Sequence, residues 1–158
     1  MIKINEVLNE GKKILNKHNI DTSEARLLLA FVLDIDVPML VTKTYCDNAS
    51  KEKFMECIQK RCQGIPFAYI TEKQEFMKLS FKVTQDVLIP RPDTEILVEN
   101  VIKIVKSNQE KKYNILDMCS GSGCIGISLN KYLDNVKVTG VDISKNALEI
   151  ARYNNIVH

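Results

Sequence analysis

The sequence predicts an α+β chain in two parts: a small helical bundle, and after it the opening strand–helix–strand unit of an α/β domain. Three observations predict this fold class. Apolar residues recur at helical spacing to about residue 64, strand-like alternation begins at Phe67, and a glycine-rich turn between an apolar strand and a helix occupies residues 114–129. The predicted parts are a helical domain over residues 1–70, a β-hairpin linker over 71–90 and the α/β domain over 91–158.

The composition is that of a globular protein without a strongly charged segment. Formal net charge is +2, and residues 1–64 carry ten Lys or Arg against nine Asp or Glu, which argues against a basic nucleic-acid-binding arm. No apolar run approaches the ~20 residues that span a bilayer, and the amino terminus lacks the pattern of a signal peptide. We therefore expect a cytoplasmic protein that contacts neither membrane nor nucleic acid directly.

The cysteines do not predict a metal site or a disulfide framework. There are five of them, no two at CxxC spacing, and only two histidines accompany them. In a reducing compartment, such cysteines are expected to be free thiols that fill small apolar positions.

Helical periodicity dominates the first 64 residues. The expected order is an amphipathic helix through Leu15, an apolar helix over residues 25–33, a short segment at 38–42, and a helix that starts at Ser50 and stops at Gly64. A bundle this short buries limited area by itself. It is either a helical cap that packs on other parts of the protein or a surface for a partner, and the sequence leaves both open.

Alternating apolar residues predict extended structure in the linker. Residues 75–83 fit a short hairpin or bent strand, and residues 87–89 fit a further extended piece. Two prolines around Arg91 force an extended backbone there, and Pro92 suits the first turn of a helix that continues to about residue 107. From the residues alone, Arg91 and Thr94 are helix-start residues.

The glycine-rich turn lies within a strand–helix–strand unit. Residues Gly121–Gly126 match GxGxxG, follow an apolar strand and precede a helix expected over Cys124–Tyr132. A second apolar run, Val136–Val141, ends in Asp142 and is followed by a helix expected over Ser144–Tyr153. GxGxxG alone is a weak pattern, but this context is typical of a nucleotide-handling site.

Two acidic residues carry chemistry beside the turn. Asp142 can accept both hydroxyl hydrogens of a ribose, and the glycine loop upstream favours that role over the competing one, a cap for the helix that follows. Asp117 directly precedes the turn, where a carboxylate can order the loop amides or meet a cationic ligand. Since an uncompensated buried carboxylate is costly, we expect Asp117 to have a polar partner.

Two nucleoside cofactors fit this unit. A dinucleotide would seat its pyrophosphate on the helix amino terminus, whereas S-adenosylmethionine has no phosphate and brings a sulfonium and an amino-acid tail. The acid before the loop favours S-adenosylmethionine. The sequence D-x-x-x-G-x-G from Asp117, followed by Asp142 after the next strand, resembles the arrangement of class I methyltransferases with their Rossmann-like fold.

A wider set of segments resembles the HemK family of protein-(glutamine-N5) methyltransferases, which act on peptide-chain release factors. The most specific segment is IPRPDTE, and the resemblance covers essentially the whole chain. The segments that carry it are Pro66–Ile70, Glu75–Phe76, Val87–Glu95, Ile115–Asp117 and Gly140–Ser144.

The resemblance implies roles for individual residues. The donor would be S-adenosyl-L-methionine, with its ribose on Asp142 and Asp117 beside its loop, and the helical domain would help to recognise the release factor. The loop around the methionine part would be Cys119, Ser120, Gly121, Ser122 and Gly123, and the residues near the methyl group would include Arg91 and Thr94. The sequence departs from the family at Cys119, Glu72 and Lys78, where glycine is common.

The family's Asn-Pro-Pro-Tyr motif, which grips the substrate amide, does not occur in the sequence. We therefore assign no catalytic residue and expect the 158-residue chain by itself to be inactive. An unfinished sheet would also expose apolar surface, so we expect self-association or disorder beyond about residue 110. Two other readings stay open: a related amino-methyltransferase acting on nucleic acid, and a partner-binding module without chemistry.

Overall fold

A computed structural model describes residues 1–158, which divide into two compact units, Met1–Thr71 and Glu72–His158. The hairpin that follows the helices belongs to the second unit. No helix has the length and apolar character needed to cross a bilayer. The observed fold class agrees with the predicted one: a helical region, a short strand pair, and a strand–helix–strand unit with two parallel strands, as at the start of a Rossmann-like α/β domain.

The first unit is a helical bundle with a two-stranded clasp. Its core is apolar and includes Leu15, Leu28, Phe54 and Ile58. The two short strands pair antiparallel, Ile2 with Cys46. In chain order the elements are β1 (Ile2–Lys3), α1 (Ile4–Lys17), α2 (Glu24–Val32), a 3₁₀ helix (Val37–Val41), β2 (Tyr45–Cys46), α3 (Asn48–Cys62) and α4 (Phe67–Thr71).

Two details of the first unit differ from the prediction. Helix α3 begins at Asn48 because the carboxylate of Asp47 caps it, accepting a hydrogen bond from the Ser50 backbone N–H at 2.7 Å. Ser50 therefore lies inside the first turn and does not start the helix. The short helix α4 lies where the sequence suggests alternation. It begins at a turn in which the Tyr69 and Ile70 N–H groups donate to the Pro66 carbonyl at 3.0 and 3.2 Å.

The second unit opens with the predicted hairpin. Strands β3 (Lys73–Phe76) and β4 (Leu79–Lys82) pair antiparallel through a two-residue turn, Met77 and Lys78, with φ values of 50° and 59°. Positive φ at both central residues is the pattern of a type I′ turn, which usually takes Asn or Gly. The Met77 backbone is held on both sides: its N–H donates to Glu95 Oε1 at 2.7 Å, and its carbonyl accepts from the Tyr132 hydroxyl at 2.5 Å.

Residues 87–89 form no strand. The Val87 backbone N–H donates to the Thr84 carbonyl at 3.1 Å and closes a turn, in which Val87 is buried. The extended backbone predicted for Leu88 and Ile89 stays a prediction.

The strand–helix–strand unit follows as predicted. Strands β5 and β6 are parallel, with Ile115 opposite Val138. The observed bounds of α6 and β6 are the predicted ones, while α7 continues four residues beyond Tyr153. The elements are α5 (Pro92–Lys106), β5 (Tyr113–Met118), α6 (Cys124–Tyr132), β6 (Val136–Val141) and α7 (Lys145–Val157).

Candidate functional site

The glycine loop is a tight turn in which three residues have left-handed backbone conformations. Cys119, Gly121 and Gly123 have φ values of 60°, 53° and 78°. The Gly123 backbone N–H donates to the Ser120 carbonyl at 2.8 Å, and α6 begins at the next residue. Of these three loop residues, only Cys119 has a side chain, and a Cβ is unfavourable in the left-handed conformation. The loop therefore keeps a glycine-type backbone at Cys119 without a glycine.

Asp142 joins the end of β6 to the glycine loop. Its Oδ2 accepts a hydrogen bond from the Gly121 N–H at 2.8 Å, and its Oδ1 accepts from the Ser144 N–H at 2.9 Å. These bonds, the one from Ser144 foremost, hold the pKa of Asp142 below its ordinary value. The cap of α7 is Ser144, whose Oγ accepts from the Ala147 N–H at 3.2 Å. Asp142 therefore orders the loop, and the helix has its own cap.

Asp117 is buried, with 8% of its surface exposed, at the end of β5. Burial raises its pKa, and a hydrogen bond from the Gly126 N–H to its Oδ2, at 3.0 Å, opposes that effect. This bond is the polar partner that a buried carboxylate needs. A Cβ on Gly126 would lie 3.1 Å from Asp117 Oδ2 and 3.0 Å from Val138 Cγ1, so glycine permits this close approach.

Ser120 places a buried hydroxyl without a partner at the site. Its backbone N–H donates to the Val141 carbonyl at 3.0 Å, which ties the loop to β6. Its side chain is 8% exposed, and Oγ has no hydrogen-bond partner in the protein. A buried polar atom without a partner is uncommon in native structures, and water or a ligand often satisfies it.

A crevice of about 490 Å³ lies between α6, β6 and α7. Asp117, Ser120 and Gly123 line it, whereas Asp142, Arg91 and Thr94 do not. The crevice therefore contacts the glycine loop at Ser120 and Gly123, but it includes only some of the predicted site residues.

Arg91 and Thr94 lie at the start of α5, as predicted from the residues alone. Arg91 is the exposed residue before the helix, and its carbonyl accepts from the Thr94 N–H at 3.0 Å. Neither side chain has a hydrogen bond or an ion pair with the glycine loop. The structure thus brings Asp117, the loop residues 119–123 and Asp142 together at the carboxyl ends of β5 and β6, but it does not join Arg91 or Thr94 to them.

All five cysteines are free thiols, and no group of three or more His, Cys, Asp or Glu side chains is placed to hold a metal ion.

Sequence reasoning missed one residue beside the loop, Asn154. It lies on the inner face of α7, and its side-chain amide donates to the Ser122 carbonyl at 2.9 Å. A signal for it exists: Ala147, Ala151 and Asn154 share one helical face, so a polar residue occupies a position in the apolar stripe of α7.

Comparison with known proteins matches both units. Residues 6–71 match the family described as PrmC N-terminal domain, and residues 92–157 match the family described as methyltransferase small domain. These two ranges correspond to the helical unit and to the part of the second unit that follows the hairpin.

Curated relatives extend the match over nearly the whole chain. A release factor glutamine methyltransferase of Clostridium acetobutylicum is 40% identical over an alignment of 157 positions, which covers 97% of this chain and 54% of the relative. One of Borreliella burgdorferi is 41% identical over 155 residues, 97% of this chain and 52% of the relative. A bifunctional methyltransferase of Rickettsia typhi is 37% identical over an alignment of 175 positions, gaps included, which covers 98% of this chain and 34% of the relative.

The chain spans about half the length of the release factor glutamine methyltransferases that it matches. The matched half is the amino-terminal one. The chain therefore combines a match to the PrmC N-terminal domain family with a match to the methyltransferase small domain family, and over nearly its whole length it is similar to the amino-terminal half of release factor glutamine methyltransferases.

Proposed function

We propose that this chain supplies the cofactor-binding half of an S-adenosyl-L-methionine-dependent methyltransferase that modifies peptide-chain release factors. The accepting atom would be the side-chain amide nitrogen of the glutamine in their Gly-Gly-Gln loop. The observation that carries the proposal is the bond between Asp142 and Gly121, since it places a carboxylate at the end of β6 against the glycine loop. The names of the relatives supply the substrate class.

The residues present are compatible with this cofactor. A carboxylate offers about four acceptor positions, and Asp142 uses two of them, so both of its oxygens can still accept hydrogens from a ribose. Nothing lies within 4 Å of the position that a Cβ on Gly121 would take, which leaves the loop open to a ligand on that side. Residues Cys119–Gly123 would contact the methionine part, and bound S-adenosylmethionine would supply the methyl group.

Arg91 and Thr94 enter the proposal through the IPRPDTE segment. Arg91 is exposed and holds no ion pair, so its guanidinium is available for a ligand or a substrate. We propose that the start of α5 lines the site near the transferred methyl group, with Arg91 and Thr94 among its residues.

For the helical unit we propose a role in recognising the release factor. Residues 6–71 match the PrmC N-terminal domain family, and the similarity to release factor glutamine methyltransferases covers 97% of this chain. The balanced charge of the chain, +2 over its whole length, does not favour nucleic acid as the substrate. The setting of such a reaction would be the cytoplasm.

The amide nitrogen of glutamine is a weak nucleophile, so transfer to it depends on placement of the nitrogen in line with the methyl group. The sequence contains no Asn-Pro-Pro-Tyr motif to hold that amide. We expect the 158-residue chain by itself to transfer no methyl group. Leu116 and Met118 of β5 are exposed apolar side chains, and the self-association of this chain stays a prediction that they favour.

The test is a methyl-transfer assay with labelled S-adenosylmethionine and a purified release factor. The enzyme is the chain extended through a carboxyl-terminal half like that of its relatives, and the matched control is the release factor whose Gly-Gly-Gln glutamine is replaced by alanine. We expect label on the unaltered release factor alone. Label on RNA or DNA instead, or equal label on both release factors, would overturn the proposal.

A further inference from the structure

Asn154 is a buried polar side chain that uses both hydrogens of its amide and one of the two acceptor positions of its carbonyl oxygen. It is 1% exposed. Its Oδ1 accepts from the Lys82 backbone N–H at 2.7 Å, and its Nδ2 donates to the Lys82 carbonyl at 3.0 Å and to the Ser122 carbonyl at 2.9 Å. A single side chain on α7 therefore contacts the backbone of β4 and that of the glycine loop.

The bond to Ser122 lies at the centre of the loop. Ser122 stands between Gly121 and Gly123, both of which have positive φ. Asp142 accepts a hydrogen bond from the Gly121 N–H, and the Ser120 carbonyl accepts one from the Gly123 N–H. The bond from Asn154 fixes the Ser122 carbonyl, which lies between these two N–H groups in the chain. Without it, a buried carbonyl would lose its partner and two flexible glycines would lose an anchor.

The bonds to Lys82 reach the segment that leads to α5. With Lys82, the amide of Asn154 makes the donor and acceptor pair that a neighbouring strand would make with β4. A second asparagine of α7 acts on the same segment: Asn146 Nδ2 donates to Asp86 Oδ1 at 2.9 Å. Helix α7 thus fixes both the glycine loop and the stretch of chain that runs from β4 towards Arg91.

We propose that Asn154 is a positioning residue for the cofactor site. It holds the Ser122 carbonyl in place and so sets the conformation of the glycine loop, and through Lys82 it couples that loop to the hairpin. The part of this inference that concerns the cofactor rests on the proposed function. The part that concerns the loop rests on the hydrogen bonds alone.

The test compares N154D with N135D. The aspartate in N154D has nearly the shape of asparagine and can still accept the hydrogen bond from the Lys82 N–H. It cannot donate to the Ser122 and Lys82 carbonyls, so a carboxylate oxygen faces both of them without a hydrogen bond. Asn135 is the matched control, because its Nδ2 also donates to two carbonyls, those of Lys111 at 2.8 Å and Gln109 at 3.4 Å, before β5. Both variants are studied as the 158-residue chain under conditions where circular dichroism shows them folded.

Two measurements are made on each protein. We expect N154D to bind S-adenosylhomocysteine about tenfold more weakly than wild type, and N135D to bind within about twofold of it. Without ligand, we expect the Gly123 amide to exchange its hydrogen about tenfold faster in N154D, with the Ile115 amide of β5 as the internal reference. Wild-type affinity together with wild-type exchange at Gly123 in folded N154D would overturn the inference.

The two proposals fail in distinguishable ways. If wild type binds no S-adenosylhomocysteine, the cofactor assignment fails, while the exchange rate of Gly123 still decides whether Asn154 orders the loop. If N154D does not fold, the side-chain amide resonances of wild-type Asn154 replace it: we expect them to shift on addition of S-adenosylhomocysteine while those of Asn135 do not. Unshifted Asn154 resonances with ligand bound would overturn the inference.

Discussion

The Gly121 backbone N–H donates to Asp142 Oδ2 at 2.8 Å and so joins two residues that follow adjacent parallel strands. Because β5 and β6 run in the same direction, their carboxyl ends meet at one edge, and the carboxylate bridges that edge. The same carboxylate accepts from Ser144. The glycine loop, the end of β6 and the start of α7 are therefore joined in one hydrogen-bonded unit.

The two acids of the site predict opposite responses to pH. Hydrogen bonds lower the pKa of Asp142, so its stabilising effect is present above about pH 4, the pKa of an unfolded Asp, and is lost as the pH falls through its folded pKa. Burial raises the pKa of Asp117, so its effect has the other sign: the fold loses stability as the pH rises above about 4.

Urea unfolding from pH 3 to pH 7 tests this contrast. We expect the free energy of unfolding of D142N to fall less than that of wild type on acidification below about pH 4. Between neutral pH and pH 4, protonation of Asp117 stabilises wild type, and we expect D117N to lack this contribution. Identical pH profiles for wild type and both variants would contradict these pKa directions.

Gly126 is predicted to be intolerant of a side chain. A Cβ there would meet Val138 Cγ1 at 3.0 Å and Asp117 Oδ2 at 3.1 Å, so we expect G126A to lower the free energy of unfolding by about 1–3 kcal/mol. The control is G140A, whose Cβ would meet only the Ser120 side chain, at 3.3 and 3.4 Å. Denaturant unfolding should show the smaller loss for G140A, and equal losses would argue against a tight approach at Gly126.

Cys119 is predicted to be strained by its own Cβ. With φ at 60°, replacement by glycine removes the steric cost, although the unfolded chain gains entropy. We expect C119G to raise the free energy of unfolding by about 0.5–1 kcal/mol. C119A, which removes the thiol but keeps Cβ, should give no such gain, and a gain of the same size in C119A would assign the effect to sulfur.

In the helical unit, the prediction concerns Arg61 and Glu24. The guanidinium donates through Nη2 to Glu24 Oε1 at 3.0 Å and through Nη1 to the Ile65 carbonyl at 3.0 Å, and a further bond links Nε to the same carboxylate. Since this half-buried fork joins α2 to α3, we expect R61K to lower the free energy of unfolding by about 1–2 kcal/mol despite its retained charge. Lys51, which pairs with Glu10 at 2.8 Å on the surface, is the control. Its replacement by methionine should change stability little, and a loss equal to that of R61K would contradict the prediction.

Much of the second unit could be predicted because its signals are local. The apolar runs and the glycines each act within a few residues, so the predicted bounds of α6 and β6 agree with the structure. The acids Asp117 and Asp142 could be located for the same reason, since both end an apolar run. The hydrogen bonds of these residues could not be predicted from their spacing in the sequence. Only the structure shows that Asp142 orders the loop and that Ser144 caps the helix.

The features that the sequence could not predict join residues far apart in the chain. Asn154 meets Lys82 across 72 residues, and Glu95 meets the Met77 N–H across 18. A turn at Met77 and Lys78 without glycine is compatible with the fold because Glu95 and Tyr132 hold the Met77 backbone. Pattern reasoning weighs neighbours in sequence, so it had no means of finding these contacts.

The most direct test of the cofactor site is a calorimetric titration of the 158-residue chain with S-adenosylhomocysteine, alongside D142A and D134A. D142A removes the acceptor for the Gly121 N–H and the proposed ribose partner together, whereas Asp134 is an exposed acid in the turn before β6. We predict binding to wild type and D134A with similar affinity, and a loss of about tenfold or more in D142A. Equal affinity for all three proteins, or no binding to the wild type, would contradict the assignment of this loop as an S-adenosylmethionine site.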